Sequence, residues 1–432
     1  MSRKIKPLAD DYVTLYESEN PQEVYGYSPG ICILPSGRLV TTIDIGGPGL
    51  VDKDWGPDIK RSKINFNGKV YTSDNQGAKW KHRGDFPFMH ARPFASGNSV
   101  YILGHDDDLA IMKSDDHGET WSKISYLTKN ELWHQAPCNI HYANGCIYLV
   151  MERRVTQDIR GWYVGELTPV LMRAKIGGNL LKRESWTFSD ELSFRDIIPN
   201  TETNPDIDWV GIPFFDSPYP NGSNADGIES RNAAPIGWLE SNVIQFVDPE
   251  HRWTDPSGKT FHLWARANTG GTGYACIAKV VEQGNEAGTG EMKIMLEKVP
   301  SGKTILYTPC PGGQMKFHVL YDEETKLYWL LSTQAIDSMI RVDKMPANRY
   351  NLPNNERRRL QLHFSKNMID WCFAGLVTTG PADHASRNYA SMIINGEDLQ
   401  ILSRSGDENS KSAHDGNLVT FHTISNFREL VY

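Results

Sequence analysis

Ser114-Asp115-Asp116-His117-Gly118-Glu119-Thr120-Trp121 and its echo Ser73-Asp74-Asn75-Gln76-Gly77-Ala78-Lys79-Trp80 decide the fold. Each carries a serine, an Asp or Asn two places on, then a glycine and a tryptophan. The serine and Asx side chains can take up nearby backbone N–H groups, and the glycine accepts a positive φ. The tryptophan offers a large apolar face to a neighbouring sheet. This is the chemistry of a tight hairpin between strands. Ser365-Lys366-Asn367-Met368-Ile369-Asp370-Trp371 is a decayed third copy. Outward from these turns, short apolar or alternating runs dominate. They include SVYILGH at 99–105, CIYLVMERR at 146–154, TFHLWARA at 260–267, KLYWLLSTQ at 326–334 and NLVTFHTI at 417–424. Turn residues bound each run and convincing amphipathic helices are hard to find, which predicts an all-β sandwich, barrel or propeller.

The chain has 432 residues, with 45 Lys+Arg against 53 Asp+Glu and a formal charge of −8. Its 39% hydrophobic content supports a large core without disulfides or a structural metal. The acidic balance, with no basic tract, argues against nucleic-acid or anionic-membrane binding. No run approaches a membrane span. The N-terminal MSRKIKPLADDYVTLYES lacks the apolar core of a signal peptide, so a cytoplasmic location is expected. The six cysteines (32, 138, 146, 276, 310 and 372) are scattered and read as reduced core residues. No cofactor is expected. No spacing of His and Asp marks a metal site, although a channel-bound calcium or zinc is left open.

The eight-residue turns match the Asp-box of the sialidase superfamily, and the whole chain resembles a six-bladed sialidase-type propeller. With the boxes as rulers, the blades fall near 25–82, 88–123, 134–190, 236–300, 313–375 and 387–432 of a single domain. The strand at 11–17 would close the ring on the last blade. The Pro-, Asn- and Asp-rich segment 191–235 reads as a long loop over one face.

Four further segments resemble active-site strands of exo-sialidases. The resemblance implies that Tyr389, in Arg387-Asn388-Tyr389-Ala390-Ser391, is the nucleophile, and that Glu240, in Trp238-Leu239-Glu240-Ser241-Asn242, is its partner. Arg266 and Arg357 would be carboxylate-binding arginines. A tyrosine nucleophile suits an anionic sugar, which would repel a carboxylate. Arginine binds a carboxylate bidentately, which lysine does less well. The family's first triad arginine has no counterpart in Tyr25-Gly26-Tyr27-Ser28-Pro29-Gly30. The acid is expected in the loop Val51–Asp58, where Asp54 is preferred among three aspartates.

A competing set comprises His90, His105, His134 and Arg153, at strand ends of the second and third blades. It resembles the His/Arg arrangement of propeller-type polysaccharide lyases acting on uronic acids, in which a neutral His suits proton removal. Ser403-Arg404-Ser405-Gly406-Asp407 is more polar than a turn requires and is placed at the channel mouth without a chemical role. Structural readings run beside these: an ion pair for Glu240 and Arg266, inter-blade packing for Tyr389. Three functions follow. They are a glycoside hydrolase acting on a terminal anionic or decorated sugar of an oligosaccharide or polysaccharide, a uronate lyase, and a non-catalytic glycan-binding propeller. Glu240 and Tyr389 within hydrogen-bond reach favour the first; converging histidines with those two far apart favour the second.

Overall fold

The hairpin chemistry at Ser73, Ser114 and Ser365 is realised three times. Each serine Oγ accepts a backbone N–H: Gly77 N at 3.0 Å, Gly118 N at 2.8 Å and Met368 N at 2.9 Å. Each following Asx side chain accepts another, from Lys79, Thr120 or Asp370. Gly77 and Gly118 take φ of +85° and +88°. The third turn drops the glycine and keeps one left-handed residue, Met368, at φ 63°.

The computed structural model describes residues 5–57, 59, 61–62, 65–157, 163–197, 207–208, 237–268, 273–336 and 356–432. Six antiparallel sheets form the blades of a β-propeller, with almost no helix. Blade one is Tyr25–Ile33, Leu39–Gly46, Phe66–Ser73 and Lys81–Phe86. Blade two is Met89–Ser96, Ser99–Asp106, Asp108–Ser114 and Ser125–Tyr126. In blade three the inner strand is split into Trp133–His134 and His141–Ala143, followed by Cys146–Arg154, Leu167–Lys175 and Trp186–Phe188. Blade four begins with Gly237–Ile244, Thr260–Asn268, Tyr274–Glu282 and Met292–Met295. Blade five is His318–Asp322, Leu327–Gln334, Arg359–Ser365 and Cys372–Thr379. Blade six is Arg387–Asn395, Asp398–Ser405 and Leu418–Ile424, and the N-terminal Val13–Glu17 pairs with its third strand to close the ring. Closure completes the last blade, and the ring leaves each sheet only short inner and outer edges.

Each blade is covered on both faces, which is why so many strands read as continuous apolar runs. Apolar clusters fill the six gaps; in one, Val40 and Val70 meet Val100 and Ile102 between blades one and two, and in another, Ile31 and Ile43 meet Leu402 and Val419 between blades one and six. The fourth strands of blades one and five run on to Phe86 and Thr379, past the expected ends at 82 and 375, because Phe86 and Val377 are still core residues. The expected loop 191–235 lies mainly outside the described residues; Phe194–Ile197 forms one helical turn at its start. All six cysteines are unpaired.

One irregularity recurs and positions the site. Tyr27 pairs with Asp44, but Gly30 pairs with Thr42. The same slip separates Met89 from Arg92, Leu239 from Asn242 and Asn388 from Ser391. Three residues advance on the inner strand against two on its neighbour, the mark of a β-bulge. The bulges hold Ser28, His90, Glu240 and Tyr389 at φ of 37°, 55°, 57° and 49°. Left-handed backbone at a non-glycine residue costs on the order of 1–3 kcal/mol, and such strain concentrates at functional sites.

Candidate active site

A second tier of side chains stands behind the bulges. Asp44, His105, Arg266 and Arg404 pair across from the bulged segments, and Glu152 pairs across from His134. All five are buried, at no more than 4% exposure. Five blades therefore deliver an ionisable group from the same point near the end of a buried second strand, and these groups converge at one end of the ring axis.

Blades four to six build a cationic half. Arg266 Nη1 donates to Tyr389 Oη at 2.7 Å and to Glu240 Oε2 at 3.3 Å, while its Nε is fixed on Gln314 O at 2.8 Å. One guanidinium thus joins the expected nucleophile to its expected partner. The Arg357 and Arg404 guanidinium carbons each lie 5.3 Å from the centre of the Tyr389 ring. Arg357 also donates to Asn388 Oδ1 at 3.3 Å. Burial raises the Tyr389 phenol above its ordinary pKa and Glu240 adds to the rise, whereas the three arginines oppose it. Burial pulls Arg357 down to about 10. Arg404 rests on Tyr27, 4.3 Å from the ring centre, and donates to His414 O. Tyr27 Oη donates to Asp415 Oδ1 at 2.8 Å, so the turn before the third strand of blade six backs this arginine.

Blades one to three build a half that holds protons. His90 Nδ1 and His105 Nε2 are 3.0 Å apart, and the His134 ring lies 5.3 Å and 5.8 Å from theirs. Burial depresses His90 well below the usual imidazole value, with His105 and His134 adding to the effect, so the ring is neutral near pH 7. The Asp44 carboxylate accepts His90 N on both oxygens at 2.9 and 3.0 Å, yet burial lifts its pKa well above the ordinary range. Glu152 is fully buried. Its Oε1 takes Ser241 N at 3.1 Å, and its Oε2 lies 4.0 Å from His134 Nδ1. Burial, with the charge of Glu240, raises Glu152 to about 8. It is therefore mostly protonated at neutral pH.

The two halves are one site. Arg404 acts electrostatically on His90 and Asp44 as well as on Tyr389, and Glu240 acts on both Glu152 and Tyr389. The two sets of residues treated in sequence as competitors face each other across a single mouth. One expected member turns away from these groups, and another is exposed on its loop. Arg153 pairs outward with Glu191, with Nε 2.5 Å from Oε1. Its neighbour Arg154 points the other way, 4.2 Å above the Tyr163 ring that meets His134 edge-on. Asp54 is exposed and accepts Gly56 N at 2.9 Å; Asp58 of the same loop lies outside the described residues. Sequence reasoning passed over Asp44 and Glu152 and gave Arg404 no role. The available signal was an ionisable residue near the end of the second strand of its blade, in Ile43-Asp44-Ile45, Met151-Glu152-Arg153 and Ser403-Arg404-Ser405. Among the described residues, no group of three or more His, Cys, Asp or Glu side chains could hold a metal ion.

No protein-family model matches the chain, and no curated protein does. Solved structures do. Trypanosoma rangeli sialidase in complex with sialic acid aligns with a TM-score of 0.53 at 12% identity, over 99% of this chain and 60% of that one. The Hadza microbial sialidase Hz136 aligns with a TM-score of 0.52 at 13% identity, over 96% of this chain and 68% of that one. A protein of unknown function from Dyadobacter fermentans aligns with a TM-score of 0.52 at 10% identity, over 96% and 97%. The chain thus spans about three fifths of the Trypanosoma sialidase. At these identities the likeness is one of fold, and the fold this chain shares with them is the six-bladed propeller.

Proposed function

We propose that the chain is a carbohydrate-active enzyme, a glycoside hydrolase that cleaves a terminal sugar carrying a carboxylate. One observation carries the reading: Arg266 Nη1 bonds both Tyr389 Oη and Glu240 Oε2, with Arg357 and Arg404 flanking the same ring. Three guanidinium groups around a phenol suit an anion that must be held beside a nucleophile. Tyr389 Oη attacks the anomeric carbon and Glu240 takes up the phenol proton. Glu152, which keeps its own proton at neutral pH, protonates the leaving oxygen. Water then attacks the glycosyl-tyrosine, Glu152 recovers a proton from it, and the phenol is restored. The absent first-strand arginine is no obstacle, because Arg404 brings a third cation to the mouth from blade six.

The test is turnover of aryl glycosides of acidic sugars and of anionic oligosaccharides, beside their neutral counterparts, with products followed by proton nuclear magnetic resonance. The expected result is release of an acidic terminal sugar with no unsaturated product. Cleavage confined to neutral sugars would overturn the reading. The close pair of His90 and His105 favours a second reading, proton abstraction from a uronate by a lyase; an unsaturated product absorbing in the ultraviolet would replace the first reading with that one.

A further inference from the structure

Directly beneath the site, the ring axis is plugged by side chains that the proposed chemistry does not use. Lys316, on the segment leading into the inner strand of blade five, is 1% exposed. Its Nζ donates to Ala390 O at 2.5 Å and to Ser391 Oγ at 3.0 Å. Among the described residues, no carboxylate lies within 4 Å of it. Ser391 Oγ in turn reaches Pro29 O at 2.7 Å and Pro137 O at 3.2 Å, on blades one and three. Two residues further along the blade-five chain, His318 Nδ1 accepts Met392 N at 3.3 Å. Cys138 Sγ donates to Glu240 O at 3.2 Å, which ties the plug to the second catalytic bulge.

A lysine buried this deeply is costly unless its donors are used. Here they are used on the carbonyl directly after Tyr389, the residue held at φ 49°. The bulge bends the strand, and the turned-in carbonyl of Ala390 would face the axis without a donor if Lys316 were removed. The other groups around the ammonium are Glu240, Cys138 and Arg92. Burial lowers Lys316 to about 8, so the ammonium form, which can fill both acceptors at once, predominates at neutral pH.

We infer that Lys316 is a positioning residue: it locks the bulge of blade six from below, and so holds the Tyr389 hydroxyl on Arg266, whose Nη1 also bonds Glu240. The inference rests on the hydrolase reading for its consequence in catalysis, but not for its structural content. It differs from plain core packing because the lock acts through two donated hydrogen bonds.

The experiment uses Lys316→Met, which keeps the length and apolar volume and removes the donors. The protein is labelled with fluorotyrosine, and the Tyr389 fluorine resonance is assigned by its loss in Tyr389→Phe. The expected result is a displaced or broadened Tyr389 resonance in Lys316→Met, with the other tyrosine resonances unmoved. An unchanged Tyr389 resonance overturns the inference. Should Lys316→Met fail to fold, Ser391→Ala removes the second half of the lock and is read in the same way. On a hydrolysed substrate, kcat is expected to fall about 100-fold with KM little changed, the signature of a nucleophile displaced by about 1 Å. An unchanged kcat in a folded variant also overturns it. If no glycan is hydrolysed, the hydrolase reading fails while the resonance still decides the role of Lys316.

Discussion

The two halves of the mouth are made by one structural device and filled with opposite chemistry. In blades four and six, the bulge residues Glu240 and Tyr389 face second-strand arginines, Arg266 and Arg404. In blades one and two, the bulge residues Ser28 and His90 face Asp44 and His105. Backbone geometry is shared, so the difference lies in the side chains alone. The first half concentrates permanent positive charge. The second holds groups whose protonation burial has shifted: a neutral imidazole at His90, a carboxyl raised well above its ordinary range at Asp44, and Glu152 at about 8. A propeller can thus divide the labour of a site by blade, with charge recognition on one side and proton handling on the other.

The sharpest way to break this division is at the proposed nucleophile. Tyr389→Phe removes one oxygen and leaves the ring packed under Arg357 and Arg404. Turnover is expected to fall by about 10⁴-fold or more, with anionic ligands still bound by calorimetry. Near-normal turnover would end the tyrosine mechanism.

Glu152→Gln probes the opposite half. A lost proton donor should lower kcat by about 10²- to 10⁴-fold. In the parent protein, activity should decline as pH rises through about 8, because Glu152 then loses the proton that the proposed mechanism has it give. Stability has the same sign. A carboxyl raised in the folded state favours folding most below the ordinary carboxylate range, and that contribution is lost as pH climbs through about 8. Thermal melts of Glu152→Gln should therefore fall less steeply than those of the parent between pH 5 and 8; parallel curves would exclude the shift.

Arg404→Ala tests recognition more than chemistry. KM for a carboxylated substrate should rise about 10- to 100-fold, in keeping with loss of a charge-assisted contact, with kcat less affected. An equal rise for a neutral analogue would mean that Arg404 only supports Tyr27. The smallest effect is expected from Asp54→Asn, a change within about threefold, since single surface substitutions away from the reacting groups are usually mild. A large loss there, measured beside Glu152→Gln, would move the proposed general acid from blade three to the loop of blade one.

Much of this was legible before any coordinates. The turns at Ser73 and Ser114 signal hairpins because their hydrogen bonds are made within a few residues of chain. Apolar runs such as that at 146–154 signal strands buried on both faces. Tyr389, Glu240, Arg266 and Arg357 stood out by their resemblance to known strands, and the structure gathers them. Arg153 illustrates the limit. It adjoins Glu152 and Arg154 in sequence, yet strand alternation turns it outward to Glu191 while Glu152 turns inward. Arg404 and Asp44 were missed for a related reason. Each is an ionisable residue near the end of a buried strand, and its meaning depends on what other blades place opposite it.

The sequence by itself determined the hairpins, the strands, the large buried core and the residue types available for chemistry, since all of these depend on local hydrogen bonding and hydrophobic pattern. Tertiary structure alone decided that residues from Asp44 to Arg404 lie together, and that most members of the two candidate sets fall within electrostatic reach of each other. It also decided which groups hold protons. Charge and burial act through space, and closing the ring brings together side chains that no local pattern relates.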